Sequence, residues 1–187
     1  MPRLFTAFPL PALRSLRDMA DTLRQTDPRL RLEPSERWHL TLNFIGDVPE
    51  SEVAGLAEQL KAATRNSGPV PLRLQGLGAF PEIRRPRVIW VRVMPDPRLL
   101  TLQDRLKNAI AVRGLPVEDS FVPHLTLARL RDRAAEALCQ LLGQHDLNQF
   151  GDLIHDEVLL YESRQYGSGQ RYLVRERIPL EGDSLEK

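Results

Sequence analysis

The sequence predicts an α+β fold built on mixed or antiparallel sheets. Short apolar strands interleave with amphipathic helices along the 187 residues. Many predicted connections are too short for the helical crossover that parallel neighbours need, so a doubly wound sheet is disfavoured. The content of 42% hydrophobic and 27% charged residues is typical of a globular chain, and the length suits one domain or two small lobes.

The first half of the chain is predicted to contain three strands and two helices. Leu13, Leu16 and Leu23 recur at helical spacing, and Pro49 with Glu50 marks the start of the second helix. The predicted order is strand Leu4–Phe8, helix Ala12–Gln25, strand Trp38–Ile45, a helix from Glu50, and strand Val70–Leu77.

The second half repeats this alternation and then ends in a hairpin. Asp96 and Pro97 form a helix cap and first turn, and Gly114 ends that helix. The other predicted elements are strand Val88–Met94, strand Phe121–Leu130, helix Asp132–Leu142, and paired strands Leu153–Glu162 and Gln170–Ile178 that turn through Tyr166-Gly167-Ser168-Gly169. The tail Glu181–Lys187 is expected to fray.

Charge and cysteine content exclude several classes of protein. The chain carries 26 basic and 25 acidic residues, a net charge of +1, which argues against a polybasic nucleic-acid binder. Of the basic residues 23 are arginine and 3 are lysine, which an arginine-rich genome explains as well as phosphate binding does. One cysteine and no run of about 18 apolar residues predict a cytoplasmic protein that does not span a membrane.

One tetrapeptide occurs twice, 85 residues apart, as His39-Leu40-Thr41-Leu42 and His124-Leu125-Thr126-Leu127. Both copies lie in predicted strands, where side chains alternate between faces. Each histidine therefore shares a face with its threonine. The leucines are expected on the opposite faces, packed under helices, and Phe44 is expected on the leucine face with less regular alternation. A two-fold arrangement of the copies would bring both His/Thr faces to one groove.

Two imidazoles around one phosphate indicate acid–base catalysis of phosphoryl transfer. A neutral histidine accepts a proton from water and a protonated one donates to the leaving oxygen, while threonine hydroxyls donate to phosphate oxygens. One His-x-Thr pair alone is typical of a half-buried strand, but two matched copies favour function. A metal site completed by Asp47 or Asp119 is the less favoured alternative, and His145 and His155 are expected to be surface histidines.

Motifs along nearly the whole chain carry a resemblance to a known family. At the repeat itself, the sequence resembles the two-histidine (2H) phosphoesterase superfamily, and within it the RNA 2′,3′-cyclic phosphodiesterases that are also called 2′–5′ RNA ligases. The matching segments, in chain order, are Arg3–Phe8, Trp38–Gly46, Gly78–Pro81, Pro86–Trp90, Phe121–Arg129, Leu160–Ser163 and Gly169–Tyr172.

This resemblance implies one domain over residues 1–187, made of two pseudo-symmetric lobes that each carry a His-x-Thr motif. It further implies two antiparallel sheets that face a central groove, with helices outside. The implied enzyme opens 2′,3′-cyclic phosphates at RNA ends, or cyclic nucleotides, to 2′-phosphates without metal or cofactor, and we expect a monomer.

The family's roles transfer to five residues. His39 corresponds to the general acid and His124 to the base, although the near-symmetric motifs leave their order open. Thr41 and Thr126 correspond to phosphate-holding residues, and Arg129 to the family's arginine after the second motif. A regular strand would turn Arg129 away from the groove, so its participation requires a bulge or the strand end there.

Other residues are secondary candidates for contacts with RNA. Candidates for base stacking are Phe5 or Phe8 and Tyr161 or Tyr166, although an aromatic residue in a strand is most often part of the core. The Arg84-Arg85-Pro86-Arg87 cluster is either an RNA-backbone contact or a solvated loop. The competing functions are a 2′–5′ RNA ligase that runs the reverse reaction and a non-catalytic protein that binds RNA ends.

Overall fold

The computed structural model describes residues 1–167 and 169–182. Within them the strands are Arg3–Pro9 (β1), Arg31–Leu32 (β2), His39–Asp47 (β3), Val70–Phe80 (β4), Val88–Val93 (β5), His124–Arg129 (β6), Gln149–His155 (β7), Glu157–Tyr166 (β8) and Gly169–Pro179 (β9). The helices are Arg14–Thr26 (α1), Glu50–Thr64 (α2), Pro97–Val112 (α3) and Glu136–Gln144 (α4), with a 3-10 turn at Ser35–Arg37.

The strands form one antiparallel sheet in the order β7-β4-β5-β6-β3-β1-β8-β9, with β2 paired to β6. This arrangement confirms the antiparallel α+β class. It also corrects the expectation of two sheets, because β3 and β6 join the two sets of strands through the pair Leu40–Leu125. The two pseudo-symmetric lobes stay a prediction.

Buried residues from both halves of the chain form one hydrophobic core. The four motif leucines are at most 3% exposed, so their predicted place on the buried face is confirmed. Helices α2 and α3 pack against each other, and α3 also packs on β3 and β4. Helix α3 begins as its cap predicts, with the Asp96 carboxylate accepting a hydrogen bond from the Arg98 backbone N–H at 2.8 Å.

The observed bounds differ from the predicted ones at most element ends, and one predicted strand is two strands in the structure. The segment Leu153–Glu162 is two strands, because β7 pairs with β4 whereas β8, after Asp156, pairs with β1 and β9. The second motif strand begins at His124, and α4 begins at Glu136. The β8–β9 hairpin is confirmed. Of the predicted turn and tail, Ser168 and residues 183–187 lie outside the described residues.

In the described part of the chain, no helix has the length and apolar character needed to cross a bilayer.

Candidate active site

Both His-x-Thr motifs line one groove of about 310 Å³. The groove lies where β3 and β6 meet, at the centre of the sheet. Because these strands are antiparallel and Leu40 faces Leu125, His39 lies at the level of Thr126 and Thr41 at the level of His124. The residues that line the groove are Arg3, Phe5, Glu33, Arg37, His39, Thr41, Phe44, His124, Thr126, Arg129, Ser163, Gln170 and Tyr172.

A bulge in β3 decides which residues of the first motif reach the groove. Thr6 of β1 faces Asn43 and the next residue, Ala7, faces Thr41, so Leu42 is an extra residue in β3. The side-chain alternation therefore shifts by one after Leu42. Phe44 lines the groove instead of sharing the leucine face, which corrects the expectation from regular alternation.

The second motif has the same irregularity at the equivalent position. Ile89 of β5 faces Ala128 and Trp90 faces Thr126, so Leu127 is the extra residue. This bulge turns Arg129 to the groove. A bulge is one of the two conditions under which Arg129 was expected to be able to contact the phosphate. In both motifs the first, third and sixth residues line the groove, with phenylalanine at the sixth position of one copy and arginine at the sixth position of the other.

Each histidine has one ring nitrogen fixed by the backbone two residues earlier. Nδ1 of His39 lies 2.6 Å from the Arg37 carbonyl oxygen, and Nδ1 of His124 lies 2.7 Å from the Val122 carbonyl oxygen. Because a carbonyl only accepts, Nδ1 carries the proton in both rings. The neutral form of each ring therefore has an unprotonated Nε2, the nitrogen that can exchange a proton with a ligand.

Burial lowers the pKa of both histidines below the usual value of 6.5. For His39 the hydrogen bond to the Arg37 carbonyl raises the pKa, whereas His124 and Arg129 lower it. For His124 the hydrogen bond to the Val122 carbonyl raises the pKa, and Arg129 lowers it. Arg129 thus acts electrostatically on both rings.

Aromatic residues enclose each histidine. The ring centroid of His39 lies 5.3 Å from that of Phe5 and 5.2 Å from that of Tyr172, the latter edge to face. The ring centroid of His124 lies 5.1 Å from that of Phe80 and 6.0 Å from that of Trp90. Tyr172, Phe80 and Trp90 have no role in the sequence-based prediction. The one sequence feature that points to them is that they lie in segments that carry the family resemblance.

The stacking candidates separate into one groove residue and three others. Phe5 lines the groove, although it is only 4% exposed. Phe8 is fully buried and stacks on His155, so the core alternative is confirmed for Phe8. His155 is half-buried, more enclosed than the surface histidine that was expected. Tyr161 packs against Phe5 from outside the groove lining, and Tyr166 lies under Arg171 at the hairpin end.

The groove carries more positive than negative charge. Arg3, Arg37 and Arg129 line it together with one carboxylate, that of Glu33. Glu33 pairs with Arg37 at 2.9 Å, and Arg3 lies over the Phe44 ring with its guanidinium carbon 5.0 Å from the ring centroid. This charge distribution favours an anionic ligand such as a phosphodiester.

The acidic residues considered as metal ligands lie away from the groove lining. Asp119 pairs with Lys107 at 2.9 Å, and Asp47 is in register with Arg3 at the end of β3. Among residues 1–167 and 169–182, no group of three or more His, Cys, Asp and Glu side chains is arranged to hold a metal ion.

The fold and the paired His-x-Thr groove define a two-histidine phosphoesterase. Residues 9–166 match the profile of the 2′-5′ RNA ligase superfamily, and the chain belongs to this family.

Three known proteins show how closely this chain resembles its relatives. An RNA 2′,3′-cyclic phosphodiesterase of Aquifex aeolicus is 28% identical over 176 residues, covering 90% of this chain and 93% of the relative. A Thermus thermophilus protein of known structure is 26% identical with a TM-score of 0.79, covering 97% of this chain and 99% of that one. The structure of E. coli LigT with 3′-AMP is 27% identical with a TM-score of 0.74, covering 96% and 98%.

Proposed function

We propose that this protein hydrolyses the 2′,3′-cyclic phosphate at an RNA end to a 2′-phosphate by general acid–base catalysis without a metal. The observation that carries the proposal is the pair of histidines in one groove, each with Nδ1 held by a carbonyl and Nε2 left for proton transfer. The Aquifex aeolicus relative bears the name of this activity, and E. coli LigT was solved with a ribonucleotide.

In the proposed step, water attacks the cyclic phosphorus and gives its proton to Nε2 of His124. The bond between phosphorus and the ribose 3′ oxygen breaks, and Nε2–H of His39 protonates that oxygen. The 2′ oxygen keeps the phosphate. His124 leaves the turnover protonated and His39 neutral, so a proton exchange with solvent restores the starting state.

Thr41, Thr126 and Arg129 hold the phosphate in this proposal. Two hydroxyls and a guanidinium donate hydrogen bonds to the non-bridging oxygens, whose negative charge must be stabilised as the five-coordinate state forms. Arg129 suits this role because the Leu127 bulge turns it to the same groove as both threonines. The guanidinium also presents several donors in a plane, which matches a phosphate.

We further propose that the substrates are RNA with a 2′,3′-cyclic phosphate end, or cyclic nucleotides, and that the enzyme acts as a cytoplasmic monomer. The single cysteine supports the compartment, because nothing in the chain requires an oxidising environment. A 2′–5′ ligase would use the same residues with a ribose hydroxyl in place of water. Hydrolysis is favoured because water is far more concentrated than RNA ends.

The assay that tests this function uses an oligoribonucleotide with a 2′,3′-cyclic phosphate end in the presence of EDTA. We expect a 2′-phosphate product, identified by its mobility and its susceptibility to phosphatase. Loss of turnover in EDTA would indicate a metal hydrolase, and a joined product would indicate a ligase. Retained binding with no turnover on any RNA end would indicate a protein that only binds ends.

Replacing either histidine tests the acid and base roles. His39→Ala and His124→Ala are each expected to lower kcat by about 100-fold or more, because each removes one of the two proton transfers. His145→Ala is the control, since His145 lies outside the groove lining. Mild and equal losses in the two groove variants would contradict the acid–base assignment.

A further inference from the structure

A second cavity, of about 470 Å³, is lined mainly by arginines. It is formed between the loop that joins β4 to β5 and the segment that follows β6. We call it the arginine cavity, and its charged lining residues are Arg84, Arg85, Arg87, Arg133 and Asp132.

Positive charge in the arginine cavity is only partly neutralised. Within the part of the chain that the structure describes, neither Arg84 nor Arg133 forms an ion pair. Arg85 lies 3.6 Å from Glu82, and Arg87 donates to the backbone oxygen of Asp132 at 3.3 Å. In a protein of net charge +1 this is a local excess, and it creates a potential that attracts phosphate.

The walls of the cavity are fixed by backbone hydrogen bonds. The Arg87 N–H donates to the Phe80 oxygen at 2.7 Å, which closes the loop between β4 and β5. The Leu130 N–H donates to the Arg87 oxygen at 2.9 Å, which ties that loop to the segment after β6. The backbone that carries the arginines is therefore already ordered. Binding a ligand then costs less conformational entropy than it would on a mobile loop.

Adjacent residues of β5 and β6 connect the lining of the arginine cavity to that of the groove. Val88 of β5 faces Arg129 of β6, and Arg129 lines the groove. The residue before Val88 is Arg87, which lines the cavity. A strand of RNA with its cyclic end in the groove can therefore pass from Arg129 onto the cavity.

We propose that the arginine cavity binds a backbone phosphodiester of the RNA strand whose cyclic end occupies the groove. This inference rests on the proposed function and extends it, because it makes oligonucleotides better substrates than cyclic mononucleotides. Arginine suits the role through its planar set of donors, and phosphate contacts of this kind position a strand without reading its sequence.

The test compares two substrates in three proteins. The substrates are a cyclic 2′,3′-mononucleotide and a pentaribonucleotide that ends in a 2′,3′-cyclic phosphate. The proteins are the wild type, the double variant Arg84→Ala/Arg133→Ala, and a control, Arg14→Ala/Arg17→Ala, with the same charge change. The control sites lie at the start of α1, away from the cavity. The other end of α1 is the end near the cavity, because the Asp27 carboxylate accepts a hydrogen bond from the Ala135 backbone N–H.

The arginine cavity variant is expected to lose about tenfold in kcat/KM on the pentanucleotide and to keep the wild-type value on the mononucleotide. Its salt dependence on the pentanucleotide should flatten by roughly 0.7 in the log–log slope, the change that one lost phosphate contact of a single strand gives. The α1 control should match the wild type on both substrates. Retained mononucleotide hydrolysis shows that the variant is folded.

Binding of a pentanucleotide that ends in a 2′-phosphate, followed by fluorescence anisotropy, separates this proposal from the proposed function. If the wild type hydrolyses neither substrate, the proposed function fails, and weaker binding by the cavity variant would still support the cavity. If both substrates are hydrolysed but the variant equals the wild type on the pentanucleotide and in binding, the cavity proposal is overturned alone. A cavity that binds free inorganic phosphate instead of RNA would also give equal activity and binding on the pentanucleotide. In that case inorganic phosphate would raise the Tm of the wild type but not that of the cavity variant.

Discussion

The two histidines depend for their chemistry on the groups around their rings. Burial lowers both pKa values, and Arg129 lowers both further. In the free enzyme both rings are therefore mostly neutral at pH 7, whereas the mechanism needs one of them protonated. Because kcat/KM reports the free enzyme, its pH profile should peak on the acid side of the usual histidine value of 6.5.

Replacing Arg129 should change both the rate and the pH profile. Arg129→Gln is expected to lower kcat/KM by about 100-fold through loss of a phosphate contact. It should also move the peak to higher pH, because removing a neighbouring positive charge raises the pKa of both histidines. Arg131→Gln, two residues away and outside the groove lining, is the control. An unchanged profile in Arg129→Gln would contradict the electrostatic role.

At the scale of elements, the hairpin of β4 and β5 supports His124 from one side. Trp90 of β5 lies across Gly78 of β4, and a Cβ atom at Gly78 would come within 2.2 Å of the Trp90 ring. Trp90 and Phe80 in turn contact the His124 ring. Glycine is required here because the indole occupies the place of a side chain.

Filling the space at Gly78 should therefore disturb both stability and catalysis. Gly78→Ala is expected to lower the free energy of unfolding by about 1–3 kcal/mol and to lower kcat, because the buried Trp90 must shift. Urea denaturation and steady-state kinetics measure the two effects. Adding Trp90→Phe should recover part of the loss, since phenylalanine lacks the outer ring atoms that clash.

The matched control for this substitution is Gly143→Ala in α4. A Cβ atom at Gly143 would meet no atom within 4 Å, and alanine favours a helix. This variant should be as stable as the wild type or more so. A Gly78→Ala protein with wild-type stability and rate would contradict the supporting role of Trp90.

At the scale of the whole molecule, burial of histidines makes stability depend on pH. Burial lowers the pKa values of His39, His124 and His155. Below pH 6.5 the unfolded chain therefore binds more protons than the folded protein, so the free energy of unfolding falls as pH falls towards the folded pKa values.

His155 offers a direct measurement of this effect outside the groove. Its ring stacks on Phe8 with centroids 4.8 Å apart, and its Nε2 is buried without a hydrogen-bond partner among the described residues. His155→Phe should keep the stacking and remove one protonation site, so it should stabilise the protein more at pH 5.5 than at pH 8. Equal effects at the two pH values, measured by urea denaturation, would show that His155 contributes nothing to the pH dependence.

The sequence alone determined the fold class, the family and the central chemistry. A tetrapeptide with period-two alternation fixes His39 with Thr41 and His124 with Thr126, because residues two apart in a strand share a face. The same alternation correctly placed the four leucines in the core. These features depend on the local geometry of a strand, which a short stretch of sequence specifies.

The tertiary structure decided the rest of the site. The bulges at Leu42 and Leu127 bring Phe44 and Arg129 to the groove, and a bulge is a property of the pairing between two strands. Similarly, β9 brings Tyr172 to His39 across more than a hundred residues of chain, and the pair Leu40–Leu125 joins two expected sheets into one. Such long-range contacts follow from how distant segments pack, so no local pattern in the sequence specifies them.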